Sequence, residues 1–270
     1  MSEEEILAGA KAQDDGIPNK VLKIKKVSGG YGRNLGLIKD DVIIGVDGEF
    51  FFGTKEDFRN QFDIDDEGER SEHPSPVLTI KRDDALFNII CQQMVSCKFE
   101  PIENPYPQPG EQVQQTLAMA KDQDLSEYLI YYDNKKNAEI LLRSKSLLAM
   151  VIPPFWFLNQ RMPEAMLASV LGGLVALTVH WILGAVYYTI LCLYVGREQL
   201  NMAMGFMSYK RMIYMQSIAA INELQAQRVA LTIDKDLYFK RPVEGLIQEK
   251  RRRKKKKKFN NSGVVLEQQS

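Results

Sequence analysis

The feature that most limits what this chain can become is a stretch without formal charge: between Glu164 and Arg197 there is no Asp, Glu, Lys or Arg. Leu, Val, Ala, Ile and Tyr dominate it, the composition expected of a segment whose solvent is lipid. As one helix, Ala165 to Gly196 would reach about 48 Å at 1.5 Å per residue, well past the ~30 Å of a hydrocarbon core. Divided in two, each half is marginally short. Lys135, Lys136, Arg143, Lys145 and Arg161 precede the stretch, and Arg197, Lys210 and Arg211 follow it. Positive charge on both flanks places both in the cytoplasm. The reading for 164–197 is therefore a transmembrane helical hairpin, or one that stops short of crossing the bilayer, with a single strongly tilted crossing as the alternative. Ala168, Gly172 and Ala176 recur every four residues, a spacing that lets a second membrane helix approach closely. His180 lies beside Trp181 near the midpoint, where a hairpin turns. An ionisable group in an apolar run also raises a rival reading, an intramembrane enzyme using His180 with Tyr187 or Tyr188.

The segments around this stretch read as follows. Residues 101–112 carry Pro101, Pro105, Pro107 and Pro109, a density that marks a linker. Residues 113–163 read as a helical stalk or interfacial collar, with Leu125, Leu129 and Tyr132 on one face and Ile140, Leu141 and Leu142 beginning another. At its end Phe155, Trp156 and Phe157 follow Pro153-Pro154, rings that prefer the headgroup level. Residues 198–249 read as amphipathic helices lying along an interface, striped with Met202, Met204, Met207, Met212 and Met215. Residues 250–270 form a polybasic tail without structure. Its cations, Lys250, Arg251, Arg252, Arg253, Lys254, Lys255, Lys256, Lys257 and Lys258, suit anionic lipid headgroups, at about 1 kcal/mol each close to the surface. Lipid is preferred to nucleic acid as their partner.

The N-terminal third has a different character. Residues 1–19 form a flexible acidic leader, and nothing in it has the form of a signal peptide. From Val21, Leu22 and Ile24 alternate with lysines as in a strand buried on one face. Val42 to Val46 is a second strand, ending at Asp47-Gly48, a dipeptide suited to a tight hairpin turn, with a return over Glu49 to Phe52. Thr54 and Asp57 form a helix-capping pair, and Phe58 and Phe62 give that helix a buried stripe. Two more strands, Val77 to Ile80 and Leu86 to Ile90, flank Asp83-Asp84 as a further hairpin.

The run Leu35-Gly36-Leu37-Ile38-Lys39-Asp40-Asp41-Val42-Ile43-Ile44-Gly45-Val46-Asp47-Gly48 resembles the signature of bacterial PDZ domains of the HtrA type, with Asp40 where that family carries Gly. The resemblance covers about residues 20–92. It implies a PDZ-like β-sandwich or barrel over 20–100, with Gly36, Leu37, Asp41, Val42, Ile43, Asp47 and Gly48 as structural signature residues. It also implies a peptide groove beside the helix of Lys55, Phe58 and Arg59. Ile152-Pro153-Pro154-Phe155-Trp156-Phe157-Leu158, followed by Arg161-Met162, is similar to the entry of a small uncharacterised bacterial membrane domain.

Two histidines and three cysteines leave little for catalysis or metal binding, and the net charge of zero gives no global field toward nucleic acid. No cofactor is expected. The combined expectation is an α+β chain, a PDZ-like domain followed by a membrane-anchored helical region. It would act as a scaffold or adaptor placing a protein partner at the cytoplasmic face of a bacterial inner membrane, with its soluble domain and tail in the cytoplasm. A subunit of a larger membrane protease or secretion complex, or a homo-oligomer, is the alternative.

Overall fold

A computed structural model describes residues 20–62, 75–106, 110–121 and 124–246. The acidic loop with His73, the N-terminal leader and the Lys250 to Lys258 run lie outside the described residues.

The strands are β1 (Lys20–Val27), β2 (Val42–Val46), β3 (Glu49–Phe50), β4 (Val77–Arg82), β5 (Ala85–Ile90), β6 (Cys97–Glu103), β7 (Ser126–Tyr132), β8 (Asn137–Leu142), β9 (Ile213–Ala220) and β10 (Tyr238–Phe239). The helices are α1 (Gly30–Asn34), α2 (Lys55–Asn60), α3 (Glu111–Ala120), α4 (Leu147–Val151), α5 (Pro153–Asn159), α6 (Pro163–Val179), α7 (Trp181–Tyr209) and α8 (Glu223–Ile233). All ten strands join one sheet in the order β10-β8-β7-β9-β5-β4-β2-β1-β6, with β3 paired to β2. Among the described strands only the β10–β8 pair is parallel.

This architecture overturns the expectation of a PDZ-like barrel joined to a helical membrane region. The sheet that begins at β6 does not close on itself. It continues past β5 into β9 and β7, strands drawn from the two segments read above as helical stalk and interfacial helices. The misreading has a physical cause. Glu127 to Tyr131 is buried at every position, so its apolar residues show neither a helical nor an alternating period. Gln216 to Ala220 is likewise buried throughout. Pro101, taken as the start of a linker, sits in β6, the terminal strand of the sheet, a position proline tolerates.

No helix among the described residues is long and apolar enough to cross a membrane. The transmembrane expectation for 164–197 falls with this, as does the bacterial inner-membrane location derived from it. The uncharged stretch is instead two helices, α6 and α7, meeting at His180.

Local signals inside the first ninety residues act as expected. Asp47 and Gly48 both take positive φ (49° and 77°) and turn β2 into β3. Asp83, also at positive φ, turns β4 into β5. Thr54 and Asp57 form a reciprocal capping box at the start of α2.

Core residues alternate between the two faces of the sheet. In the first half, Leu22, Ile24, Ile43, Ile80 and Phe87 pack with Phe58 of α2 on one face, while Val21, Val42 and Ile44 meet Val113 and Leu117 of α3 on the other. In the second half, Ile130 and Ile218 pack against Ala226 and Ala230 of α8, and Leu129, Tyr131 and Leu141 face the α4–α7 helices.

Where the halves meet, the β5–β9 ladder contributes one registered pair, Asn88 with Ala219. Val229 and Ile233 of α8 pack against the cores of both halves, and a polar lattice completes the joint. Asp41, with a fully buried side chain, receives Arg82 through both carboxylate oxygens at 2.7 Å and the Ile38 amide at 2.9 Å. The same guanidinium donates to Gln216 Oε1 at 2.6 Å and to the Gly36 carbonyl at 2.9 Å. Gly36 has φ 78°, and a Cβ there would sit 2.6 Å from Gln216 Cα, so only glycine lets the two segments touch. Ser217 donates its amide to the Leu35 carbonyl and its hydroxyl to Glu127, which also holds Arg143. Tyr214 donates its hydroxyl to the Asn34 carbonyl at 2.6 Å, and burial pushes its pKa far above the ordinary tyrosine range.

Arg82→Met leaves the Asp41 carboxylate buried without its cation and is expected to cost about 3–5 kcal/mol. Adding Asp41→Asn removes that buried charge and restores part of the loss, which denaturant unfolding of the two variants measures. Cys91 and Cys97 are buried and free, with burial pushing the Cys97 thiol up to about 11, whereas Cys192 is half-buried. A thiol reagent is expected to modify Cys192 in the folded chain and the other two only on unfolding, as mass spectrometry of the digested protein reports.

Candidate functional site

Helices α4 to α7 form an arm on one face of the sheet. Its root is a core in which Trp156, Phe157, Met162, Val195, Ala203 and Met207 pack onto Leu129, Tyr131 and Leu141. Gln199, buried in that root, accepts the Ser146 amide at 2.8 Å and donates to the Gly196 carbonyl, tying the start of α4 to α7. Chain reversals with Arg161 and Arg211 at positive φ return the chain to the sheet end of the arm.

Away from the root, α6 and α7 run antiparallel. Tyr187 donates its hydroxyl to the Ser169 carbonyl at 3.0 Å, and its ring covers Gly172, where a Cβ would lie 2.7 Å from that hydroxyl. Closer to the turn, Gly184 passes Leu177, with room for no more than hydrogen on its Cα. Of the three small residues singled out in the sequence, Gly172 and Ala176 face the partner helix, and Ala168 is exposed. The seam uses the buried Ser169 in its place. It is a contact between helices of this arm.

His180 caps α7: its Nδ1 accepts the Ile182 amide at 3.2 Å, and its ring stacks on Trp181. The phenols considered as its catalytic partners are held elsewhere, Tyr187 on Ser169 and Tyr188 on the Val151 carbonyl at 2.6 Å. The structure does not bring these three side chains together.

What the arm exposes is apolar. Leu147, Val151 and Phe155 of the short helices stand open to solvent, as do Leu171, Val175 and Val179 of α6 and Ile182, Ile190 and Leu193 of α7. Trp181 at the turn is 70% exposed. Single exposed apolar residues mean little, but a contiguous field of them on a folded chain marks an interaction surface. Several polar side chains within this field bond to nearby backbone, Thr178 to the Val175 carbonyl, Thr189 to Ala185, and Tyr188 and Cys192 to Val151, while the Tyr194 phenol near the root is exposed. Among the described residues of the arm, charged groups return near the root, where Lys145, Arg161, Glu164 and Arg197 are exposed and Arg197 pairs with Glu198 at 3.8 Å.

The groove residues are not assembled into a site. Phe58 is core, in edge contact with Phe51, Phe62 and Phe99, while Lys55 and Arg59 are solvated. Leu37, Val42 and Ile43 are core, Asp47 and Gly48 make the β2–β3 turn, and Gly36 and Asp41 belong to the joint with β9. A depression of about 470 Å³ between that turn and the end of α2, lined by Asp47, Glu49, Phe50 and Gln61, contains none of Lys55, Phe58 and Arg59. Among the described residues no group of three His, Cys, Asp or Glu side chains could hold a metal ion. The sequence reading missed the Arg82 joint, whose one signal was an acidic residue placed directly before an apolar strand at Asp41-Val42.

Comparisons with protein-family models, with curated proteins and with solved structures found no match to this chain.

Gly172→Ala forces the Tyr187 ring outward and is expected to cost about 1 kcal/mol. In a Tyr187→Phe background the nearest atom is gone and the same substitution should cost less, a coupling that a double-mutant cycle of thermal stability resolves. Additive losses would mean that the two helices do not meet at these residues.

Proposed function

We propose that this chain is a non-catalytic adaptor, in which the sheet carries a protein partner and the apolar arm fixes the sheet in place. The observation that carries the reading is the contiguous apolar surface of α4 to α7, rooted in the same core as the sheet. A chain keeps such a surface at a standing risk of aggregation, so a surface of this size argues for a use in binding.

The sheet supplies the complementary feature. β6 pairs with β1 through seven registered positions, and no described strand covers its outer edge. An extended peptide adding to that edge would gain main-chain hydrogen bonds, with the exposed Lys98 and Glu100 setting its charge preference. Pro101 within β6 limits the edge to a short ladder, which favours a specific partner over open-ended strand pairing.

A photo-crosslinking residue at Lys98 or Glu100 in living cells is expected to yield a discrete protein adduct, and the same residue at Lys240, at the other end of the sheet, none. Absence of an adduct from β6, or equal labelling from both ends, would remove the adaptor reading.

A further inference from the structure

The proposed adaptor leaves open what covers its arm, and the inference here rests on that reading. We infer that the arm enters the acyl layer of a lipid surface from one side and returns to that side. Neither helix crosses, no compartment is assigned, and the sheet stays among the headgroups.

Three observations select acyl chains over a protein surface. The first is angular. On α6 the exposed Leu177, Val170, Leu167, Leu171, Val175 and Val179 sweep roughly 200° of the helix circumference at 3.6 residues per turn. The docking face of an amphipathic helix needs about 100°. A second copy or a partner helix would cover one side of this arc and leave the other in water, whereas a fluid apolar medium covers all of it.

The second is the treatment of polar groups. Exposed Thr178, Thr189 and Tyr188 could all bond to water, yet each donates to a carbonyl of its own arm. In hydrocarbon an unpaired hydroxyl or amide costs several kcal/mol, so this pairing fits an acyl environment, with the Tyr194 phenol left at the headgroup end of the field; exposed Thr232 of α8 pairs in the same way, so the pairing supports the inference only beside the other two observations. The His180 side chain accepts an amide at the one chain reversal inside the field.

The third is the placement of charge and the reach of the arm. From Ala165 to Gly196 no side chain carries formal charge, and Lys145, Arg161 and Arg197 are exposed at the sheet end of the arm, beside exposed Glu164 and half-buried Glu198, which lies 3.8 Å from Arg197. At that level the cations would meet lipid phosphates, while the 17 residues of α6, about 25 Å long, end short of the ~30 Å hydrocarbon core.

Flotation of the intact chain with vesicles tests this, using phosphatidylcholine alone and with one third phosphatidylserine. The chain is expected to float with both and more fully with the anionic vesicles. Trp181 fluorescence should be quenched by brominated acyl chains, a signal that Trp181→Phe abolishes because Trp156 is buried in the root. Combined Leu171→Asp, Val175→Asp and Leu193→Asp, all at exposed positions, should lower the floating fraction at least tenfold with circular dichroism unchanged. Combined Lys145→Glu, Arg161→Glu and Arg197→Glu should remove only the preference for anionic lipid. A folded chain that stays off vesicles overturns the inference, and so does Trp181 left unquenched in floated protein. If the β6 adduct persists while vesicle binding fails, the adaptor reading survives and the lipid inference does not. Arm-dependent dimers that exclude vesicles would assign the surface to a second copy.

Discussion

The structure turns on one buried ion pair. Asp41 is wholly removed from solvent, and the desolvation of its carboxylate is offset only because Arg82 grips both oxygens and the Ile38 amide adds a third bond. The remaining donors of Arg82 reach Gly36 and Gln216, so the group that neutralises Asp41 also holds β9 against the first half of the sheet. With one registered backbone pair at the β5–β9 seam, this side-chain lattice and the Val229 and Ile233 side chains packed against both cores join the ten described strands into one sheet. Gln216 Nε2 remains buried without a partner, a cost accepted where its oxygen is needed by Arg82.

That seam matters because the helical arm grows from the second half of the sheet while the open edge of β6 lies at the end of the first. A loose seam would let the arm and the edge move independently. A fixed seam makes the orientation of one a consequence of the other, as the proposed adaptor role requires. The arm is rigid for its own reasons: Tyr187 over Gly172, Leu177 against Gly184 and Met150 against Gly196 each use the missing side chain of a glycine to bring helices close.

The polar chemistry of the arm is local and self-contained, and that of the joint is long-range and shared. The hydroxyls of Thr178, Tyr187, Tyr188 and Thr189 bond to carbonyls within about one turn or on the adjacent helix. At the joint, Arg82 and Gln216 are separated by more than a hundred residues, as Tyr214 is from Asn34. The first kind of bond suits a surface that leaves water, because it asks nothing of the surroundings. The second kind specifies which segments of the chain belong together.

The sequence by itself determined the local pieces. The hairpin turns at Asp47-Gly48 and Asp83, the capping box of Thr54 and Asp57, and the reversal of two apolar helices near His180 follow from φ preferences, short-range hydrogen bonds and composition, which act between near neighbours. Only the tertiary structure decided that Ser126–Tyr132 and Ile213–Ala220 are strands. Segments buried on both faces carry no period, and their pairing with each other and with β5 depends on partners as distant as Asn88 is from Ala219. It also decided that the sheet does not close after β6, and that Gly36 and Asp41 serve a joint with a distant strand. A resemblance spanning one third of the chain could not contain that contact, because the Gln216 side of it lies in the remaining two thirds.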